Sequence, residues 1–241
     1  MNQLALITGA NKGIGLETAR QLGQLGFRVL LGARNAAAGA AAAAQLRREG
    51  LQADALLLDV ASAASIAQAA AEVGSRHRVL DVLINNAGVL LDDHSQSPSA
   101  QSMEVWRGTF DINFFGVIAV TRAFLPLLRA APAARIVNLS SRLASLTLHS
   151  DPSSAIYHSK DAAYNVSKTA VNAWTVNLAY ELRDTPIKVN AAHPGHVKTD
   201  MGGPDAPVEL VDGARTSVAL ATLGPDGPSG QFIYMGQQLP W

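Results

Sequence analysis

Short apolar runs alternate with longer amphipathic stretches along the chain, a rhythm that predicts stacked β-α-β units around a parallel sheet. Strands are expected over residues 4–8, 28–32, 55–59, 79–85, 135–139, 188–192 and 231–234, each rich in Leu, Ile, Val or Ala. Runs that are apolar throughout, rather than at alternate positions, suit a sheet covered by helices on both faces. Helices are expected over residues 14–25, 36–48, 63–76, 103–129, 161–183 and 208–223. Phe110, Phe114, Val117, Ile118, Thr121 and Phe124 recur at helical spacing, as do Val166, Ala170, Ala173, Trp174 and Val176, and both stripes are assigned to the core. No solenoid repeat and no Gly/Ser/Pro linker divides the chain. The expectation is one α/β domain over residues 1–241, a three-layer αβα sandwich around a mostly parallel seven-stranded sheet.

Composition narrows the chemistry. Nineteen basic and nineteen acidic residues leave no net field favouring nucleic acid or an anionic membrane, so neither is assigned as a partner. The absence of cysteine excludes disulfides, thiolate catalysis and a cysteine-ligated metal. His193 and His196 flank Pro194-Gly195 without a carboxylate completing a ligand set at short spacing, so no metal is assigned. Met1-Asn2-Gln3 runs into Leu4-Ala5-Leu6-Ile7 without the basic and long apolar regions of a signal peptide, and no run reaches ~18 uninterrupted apolar residues. A cytoplasmic protein is expected.

After the first strand comes Thr8-Gly9-Ala10-Asn11-Lys12-Gly13-Ile14-Gly15, opening a helix. Glycines at 9, 13 and 15 allow a tight turn and close approach to a pyrophosphate, which the free N–H groups of the helix start can receive. That context, strand then glycine turn then helix, is the Rossmann-type dinucleotide site. A P-loop is excluded because no Gly-Lys-Ser/Thr ends the turn. The second strand ends at Ala33-Arg34, where a carboxylate would favour NAD; Arg34 and Lys12 supply cations instead and point to NADP(H).

Further on, Tyr164-Asn165-Val166-Ser167-Lys168 places a phenol and an ammonium one helical turn apart, so that Lys168 is expected to lower the Tyr164 pKa. The glycine turn, Asn85-Asn86-Ala87-Gly88, Ser141 after the fifth strand, and Tyr164 with Lys168 together resemble the short-chain dehydrogenase/reductase family, in order and over nearly the whole chain. The three-residue gap between the first two glycines resembles its single-domain branch. Pro194-Gly195 and Leu239-Pro240-Trp241 look most like its carbonyl reductase group.

That resemblance implies roles. Asp59 and Val60 match the pair beside the adenine ring; Asn86, Ala87 and Gly88 match the turn supporting the cofactor; Pro194, Gly195, Val197 and Thr199 match the nicotinamide end. Asn113 matches the asparagine that holds a relay water, and Ser141, Tyr164 and Lys168 match the catalytic serine, tyrosine and lysine. The implied activity is NADPH-dependent reduction of an aldehyde or ketone, with a small carbonyl or alcohol as substrate. The alternatives are a secondary-alcohol dehydrogenase working in oxidation, perhaps with NAD, and a non-catalytic NADPH sensor. The sensor has no need of Asn113, Ser141, Tyr164 and Lys168 together.

Tyr157 rivals Tyr164 but has Asp161 at i+4, with Lys160 only at i+3. The stretch from Ser141 to Tyr164 is longer than the family pattern, which leaves substrate shape, and the choice of monomer or homo-oligomer, open. His94 and His149 lie in loops expected to border the pocket, and Leu90, Leu91, Leu143, Leu146 and Met201 suggest an apolar one.

Overall fold

Strand faces explain the layering. A computed structural model of the protein describes residues 3–241, so residues 1 and 2 of the N-terminal reading lie outside it. In the first strand, β1 (Leu4–Thr8), Leu4 and Leu6 join one apolar cluster and Ala5 and Ile7 another. Both clusters are buried because helices cover both faces. The helices α1 (Gly13–Gln24), α2 (Ala36–Arg48) and α8 (Leu210–Ala221) contribute Leu22, Leu46 and Leu220 to one. The other takes Val73 from α3 (Ala63–Arg76), Val120, Phe124 and Leu128 from α5 (Gly116–Ala130), and Leu178 from α7 (Ala162–Glu181).

The sheet runs β3 (Ala53–Leu57), β2 (Arg28–Ala33), β1, β4 (Val82–Asn85), β5 (Arg135–Leu139), β6 (Lys188–Ala192), β7 (Phe232–Tyr234) and β8 (Gln237–Gln238). The first seven are parallel, as expected. The antiparallel two-residue β8 adds an eighth at the edge; it hangs on β7 through a turn in which Met235 and Gly236 both have positive φ. Three strands begin elsewhere than predicted, β7 by a single residue, at Phe232. β3 starts two residues early because its ladder pairs Ala53 with Val29 and Leu57 with Ala33. β4 starts late because Leu80 donates its N–H to Leu127 and the Asp81 carboxylate accepts the Leu4 N–H at 2.8 Å.

The helix predicted over 103–129 is interrupted: α4 (Met103–Phe110) passes through a π-type turn at Asp111–Phe115 into α5. By length and composition Met103–Ala130 is the one helical run among the described residues able to cross a bilayer, yet Val120, Phe124 and Leu128 are fully buried against the sheet, as in a core helix. The apolar stripe assigned to α7 is corrected. Val166, Ala173 and Val176 are exposed, and the inward face is Ala163, Ser167, Val171, Asn172 and Thr175. Small and polar residues face the sheet there because it offers partners: Asn138 Nδ2 donates to Thr175 Oγ1 at 2.9 Å and Ser140 Oγ to Asn172 Oδ1 at 2.6 Å.

Candidate active site

Strand order reverses between β1 and β4, which opens a crevice beyond their carboxyl ends. Two turns meet there. Thr8 Oγ1 accepts the N–H groups of Asn86 and Ala87, each at 2.9 Å, and Asn86 Nδ2 donates to the carbonyls of Thr8 (2.7 Å) and Gly9 (3.2 Å). The fit demands glycine: a Cβ on Gly9 would lie 2.9 Å from Ala87 Cα, and one on Gly15 2.5 Å from Asn86 Nδ2. Gly13 differs. Its φ is +57°, and a Cβ there would meet only the Thr199 methyl at 3.7 Å, so the turn faces open space. No side chain caps α1 at Lys12, which leaves its first N–H groups to an anion in that space.

Of the two predicted cations, Lys12 Nζ is paired with Asp200 Oδ2 at 2.5 Å, on the loop after β6. Arg34 stands exposed just past β2, with no ion-pair partner among the described residues. Asp59 and Val60 lie beyond the end of β3. Asp59 is fixed by its N–H to Ser65 Oγ (2.9 Å) and by Oδ1 accepting from Ala61 N–H (3.0 Å), while Val60 packs against Gly116. Pro194 and Gly195 follow β6, and Gly195 adopts a φ of +93° beside Tyr234. The Val197 side chain lies against Gly213 of α8, so only its main chain remains for a ligand.

The structure brings the four predicted catalytic residues together. Ser141 follows β5, its Oγ accepting the Leu143 N–H at 3.2 Å. Tyr164 is the third residue of α7 and is buried; burial pushes its phenol up to about 12, and the neighbouring Ser141 hydroxyl opposes this. Lys168 lies one turn on, its Nζ 5.8 Å from the Tyr164 ring centroid and donating to the Leu139 carbonyl at 2.8 Å. Burial lowers Lys168 to about 8. The expectation that Lys168 would lower Tyr164 is therefore corrected: desolvation of the phenol sets the direction, only the Ser141 hydroxyl opposes it, and burial disfavours the charge of Lys168 itself.

Asn113 occupies the middle of the π-type turn, an irregularity frequent at functional sites. Its side chain is fully engaged, Oδ1 accepting the Val89 N–H (2.8 Å) and Nδ2 donating to the Val89 carbonyl (2.8 Å) and Ser167 Oγ (3.0 Å). Gly88 is wedged between them: a Cβ there would lie 3.3 Å from Asn113 Oδ1 and 3.4 Å from Lys168 Nζ.

The remaining candidates scatter. Tyr157 sits under Lys160, whose Nζ is 4.8 Å from its ring centroid, and not in the cluster. His94 Nδ1 pairs with Asp161 Oδ1 at 3.0 Å, and His149 Nε2 contacts the Leu143 carbonyl at 2.9 Å. Among the described residues no group of His, Asp and Glu is placed to hold a metal ion. Leu91, Leu146 and Met201 are exposed. The long segment before Tyr164 folds into a 3-10 turn (Arg142–Ala144) and α6 (Leu146–Ser150), anchored where Ser145 Oγ (3.2 Å) and Thr147 N–H (3.0 Å) donate to the Trp241 carbonyl.

Sequence reasoning missed two groups. Asn138, with Asn85 and Thr175, forms a buried polar ladder across β4, β5 and α7; its signal was an amide inside the apolar run Arg135–Leu139. Asp92 accepts the Ala163 and Tyr164 N–H groups from 71 and 72 residues away, which no local pattern reveals.

Known proteins resemble this chain in sequence and fold. The family model for short chain dehydrogenases matches residues 3–208. A short-chain dehydrogenase, anuI, of Penicillium roqueforti is 37% identical over 228 residues, covering 92% of this chain and 89% of the relative. Carbonyl reductase 1 of Mus musculus, named for NADPH, is 33% identical, covering 99% of this chain and 98% of its own. Among solved structures, an NADPH-bound carbonyl reductase from chicken fatty liver superposes with a TM-score of 0.86 at 28% identity, covering 100% of this chain and 99% of that one. A family match running through both the glycine turn and the Tyr164 helix, with relatives of 37% and 33% identity over nearly the whole chain, makes this chain a member of the short-chain dehydrogenase/reductase family.

Proposed function

We propose that the protein reduces an aldehyde or ketone to an alcohol with NADPH, Tyr164 supplying the proton. The observation that carries this reading is the placement of Tyr164: buried at the crevice beside the Ser141 hydroxyl, with Lys168 one helical turn on and its Nζ 5.8 Å from the ring centroid. Hydride transfer to a carbonyl carbon leaves an alkoxide, and a phenol beside a hydroxyl at that point is placed to give it a proton.

The residues present fit the cofactor. The glycine turn faces open space at an uncapped helix start, the arrangement a pyrophosphate requires, and Gly9, Asn11, Lys12, Gly13, Ile14 and Gly15 would hold it. Arg34, without a carboxylate partner, would take the 2′-phosphate, with Asp59 and Val60 beside the adenine. Asn86, Ala87 and Gly88 would support the ribose side, and Pro194, Gly195, Thr199 and the main chain of Val197 the nicotinamide end. The NADPH relatives share this preference in their names. When bound, the cofactor supplies hydride to the carbonyl carbon.

The chain's own residues do the rest. Ser141 donates to the oxygen on which negative charge develops, and Tyr164 protonates it. Lys168 orients the nicotinamide ribose and, with its pKa near 8, passes a proton toward Tyr164 near neutral pH. The resemblance gives Asn113 a relay water; with its side chain engaged by Val89 and Ser167, its main-chain carbonyl in the widened turn would be the group to hold it.

The test follows NADPH consumption over a panel of aldehydes, ketones and diketones, comparing the intact protein with Tyr164→Phe. Carbonyl-dependent turnover that disappears in the variant is expected. NADPH binding without turnover on any carbonyl would favour the sensor, and turnover surviving in Tyr164→Phe would remove Tyr164 as donor.

A further inference from the structure

We propose that Asp92 is a positioning residue for Tyr164, holding the first turn of α7 at the depth proton transfer needs; this rests on Tyr164 being the proton donor. The residue placed to cap α7 is Asp161, but its side chain makes no cap and pairs with His94 instead. Asp92 takes over from the loop after β4. Its Oδ1 accepts the Ala163 N–H at 2.8 Å and its Oδ2 the Tyr164 N–H at 3.0 Å, and Asp92 is only 7% exposed.

No cation pairs with Asp92 among the described residues, so this buried carboxylate is compensated by α7 itself. Its two charge-assisted bonds lie at the end where the dipole of a 20-residue helix favours negative charge. The far side of the tyrosine peptide leads back to the same loop. The Tyr164 carbonyl accepts from Ser167 Oγ at 2.7 Å, Ser167 Oγ accepts from Asn113, and Asn113 grips both main-chain groups of Val89. Residues 89 to 92 therefore brace Tyr164 from both its N–H and its carbonyl.

First turns fray, because their N–H groups have no partner within the helix. Tyr164 is the third residue of α7, so without Asp92 the proton donor sits in a loosened turn while Lys168, a turn deeper, stays put. A misplacement of ~1 Å at a reacting group is worth about 100-fold in rate. The loop holding Asp92 also borders the crevice, which ties its shape to the placement of the phenol.

The experiment compares Asp92→Ala, Asp92→Asn and the control Asp93→Ala in the full chain, well below the melting temperature of each variant. It measures kcat, KM for the carbonyl, Kd for NADPH and the solvent deuterium isotope effect on kcat. Asp92→Ala is expected to lower kcat by about 10- to 100-fold, with Kd for NADPH unchanged within about two-fold and a larger isotope effect. Asp92→Asn keeps one acceptor and recovers part of the rate, and Asp93→Ala, whose carboxylate bonds only Ser95, leaves kcat unchanged. If Asp92→Ala fails to fold, Asp92→Asn reads the same quantities. Unchanged kcat and isotope effect in the folded variant, alongside an inactive Tyr164→Phe, overturns this proposal alone; an active Tyr164→Phe overturns the donor assignment beneath it.

Discussion

Acidification from about pH 7 to about pH 5 puts a measurable load on His193. This residue directly follows β6, is 7% exposed, and its Nδ1 accepts the Arg142 N–H at 3.1 Å, next to Ser141. Burial, reinforced by the Arg142 charge, holds its pKa at about 3 in place of the ordinary 6.5. Between those values the unfolded chain binds a proton that the folded chain refuses. The resulting stability is fully present above about pH 6.5 and is lost as the pH falls toward 3. At about pH 5 the unfolded histidine is protonated roughly 30:1, which removes about 2 kcal/mol of folding stability. Urea unfolding followed by tryptophan fluorescence at both pH values measures the loss, in the intact protein and in His193→Asn, whose side-chain carbonyl still accepts from Arg142. Burial also lowers His77 and His149, but both are present in the two proteins and cancel in the difference. The intact protein is expected to lose about 2 kcal/mol more than the variant; equal losses would refute the assignment of a buried, neutral His193.

Two other perturbations separate cofactor choice from stability. Arg34→Asp removes the unpaired guanidinium beyond β2, and the ratio of NADPH to NADH affinity, read by cofactor fluorescence, is expected to fall at least about 10-fold; an unchanged ratio would defeat the phosphate role. Arg135→Met strips donors from the carbonyls of Ala133, Ala134, Pro186, Leu223 and Gly224, where the buried guanidinium gathers them at the start of β5. It is expected to cost about 3 kcal/mol in urea unfolding and leave kcat intact, because the crevice lies at the opposite end of the strand.

The readable parts of the site were those whose chemistry is local. Strand, glycine turn and helix are contiguous, and Tyr164 and Lys168 share a helix face by spacing alone, so their meeting needed no tertiary knowledge. What escaped depended on partners distant in sequence. The inward face of α7 was misread because Val166 and Val176 are the apolar residues, whereas Asn172 and Thr175 go inside to meet Ser140 and Asn138. The direction of the Tyr164 shift was misread because spacing shows the neighbouring ammonium and hides how dry the phenol is. The π-type turn at Asp111–Phe115 has no periodicity of its own, since one added residue per turn barely changes a stripe that includes Phe110, Phe114 and Phe115.

The amides of Asn85 and Asn138 act as a registration mark for the sheet. Parallel strands such as Val82–Asn85 and Arg135–Leu139 are apolar almost throughout, and sliding one along the other would bury much the same hydrocarbon. With the ladder in place, any slip strands amide groups away from Thr121, Thr175 and each other in a dry interior. Oily strands alone would leave the alignment of the crevice degenerate; a few hydrogen bonds inside the core select the one alignment in which the turn after β4 comes level with the serine after β5.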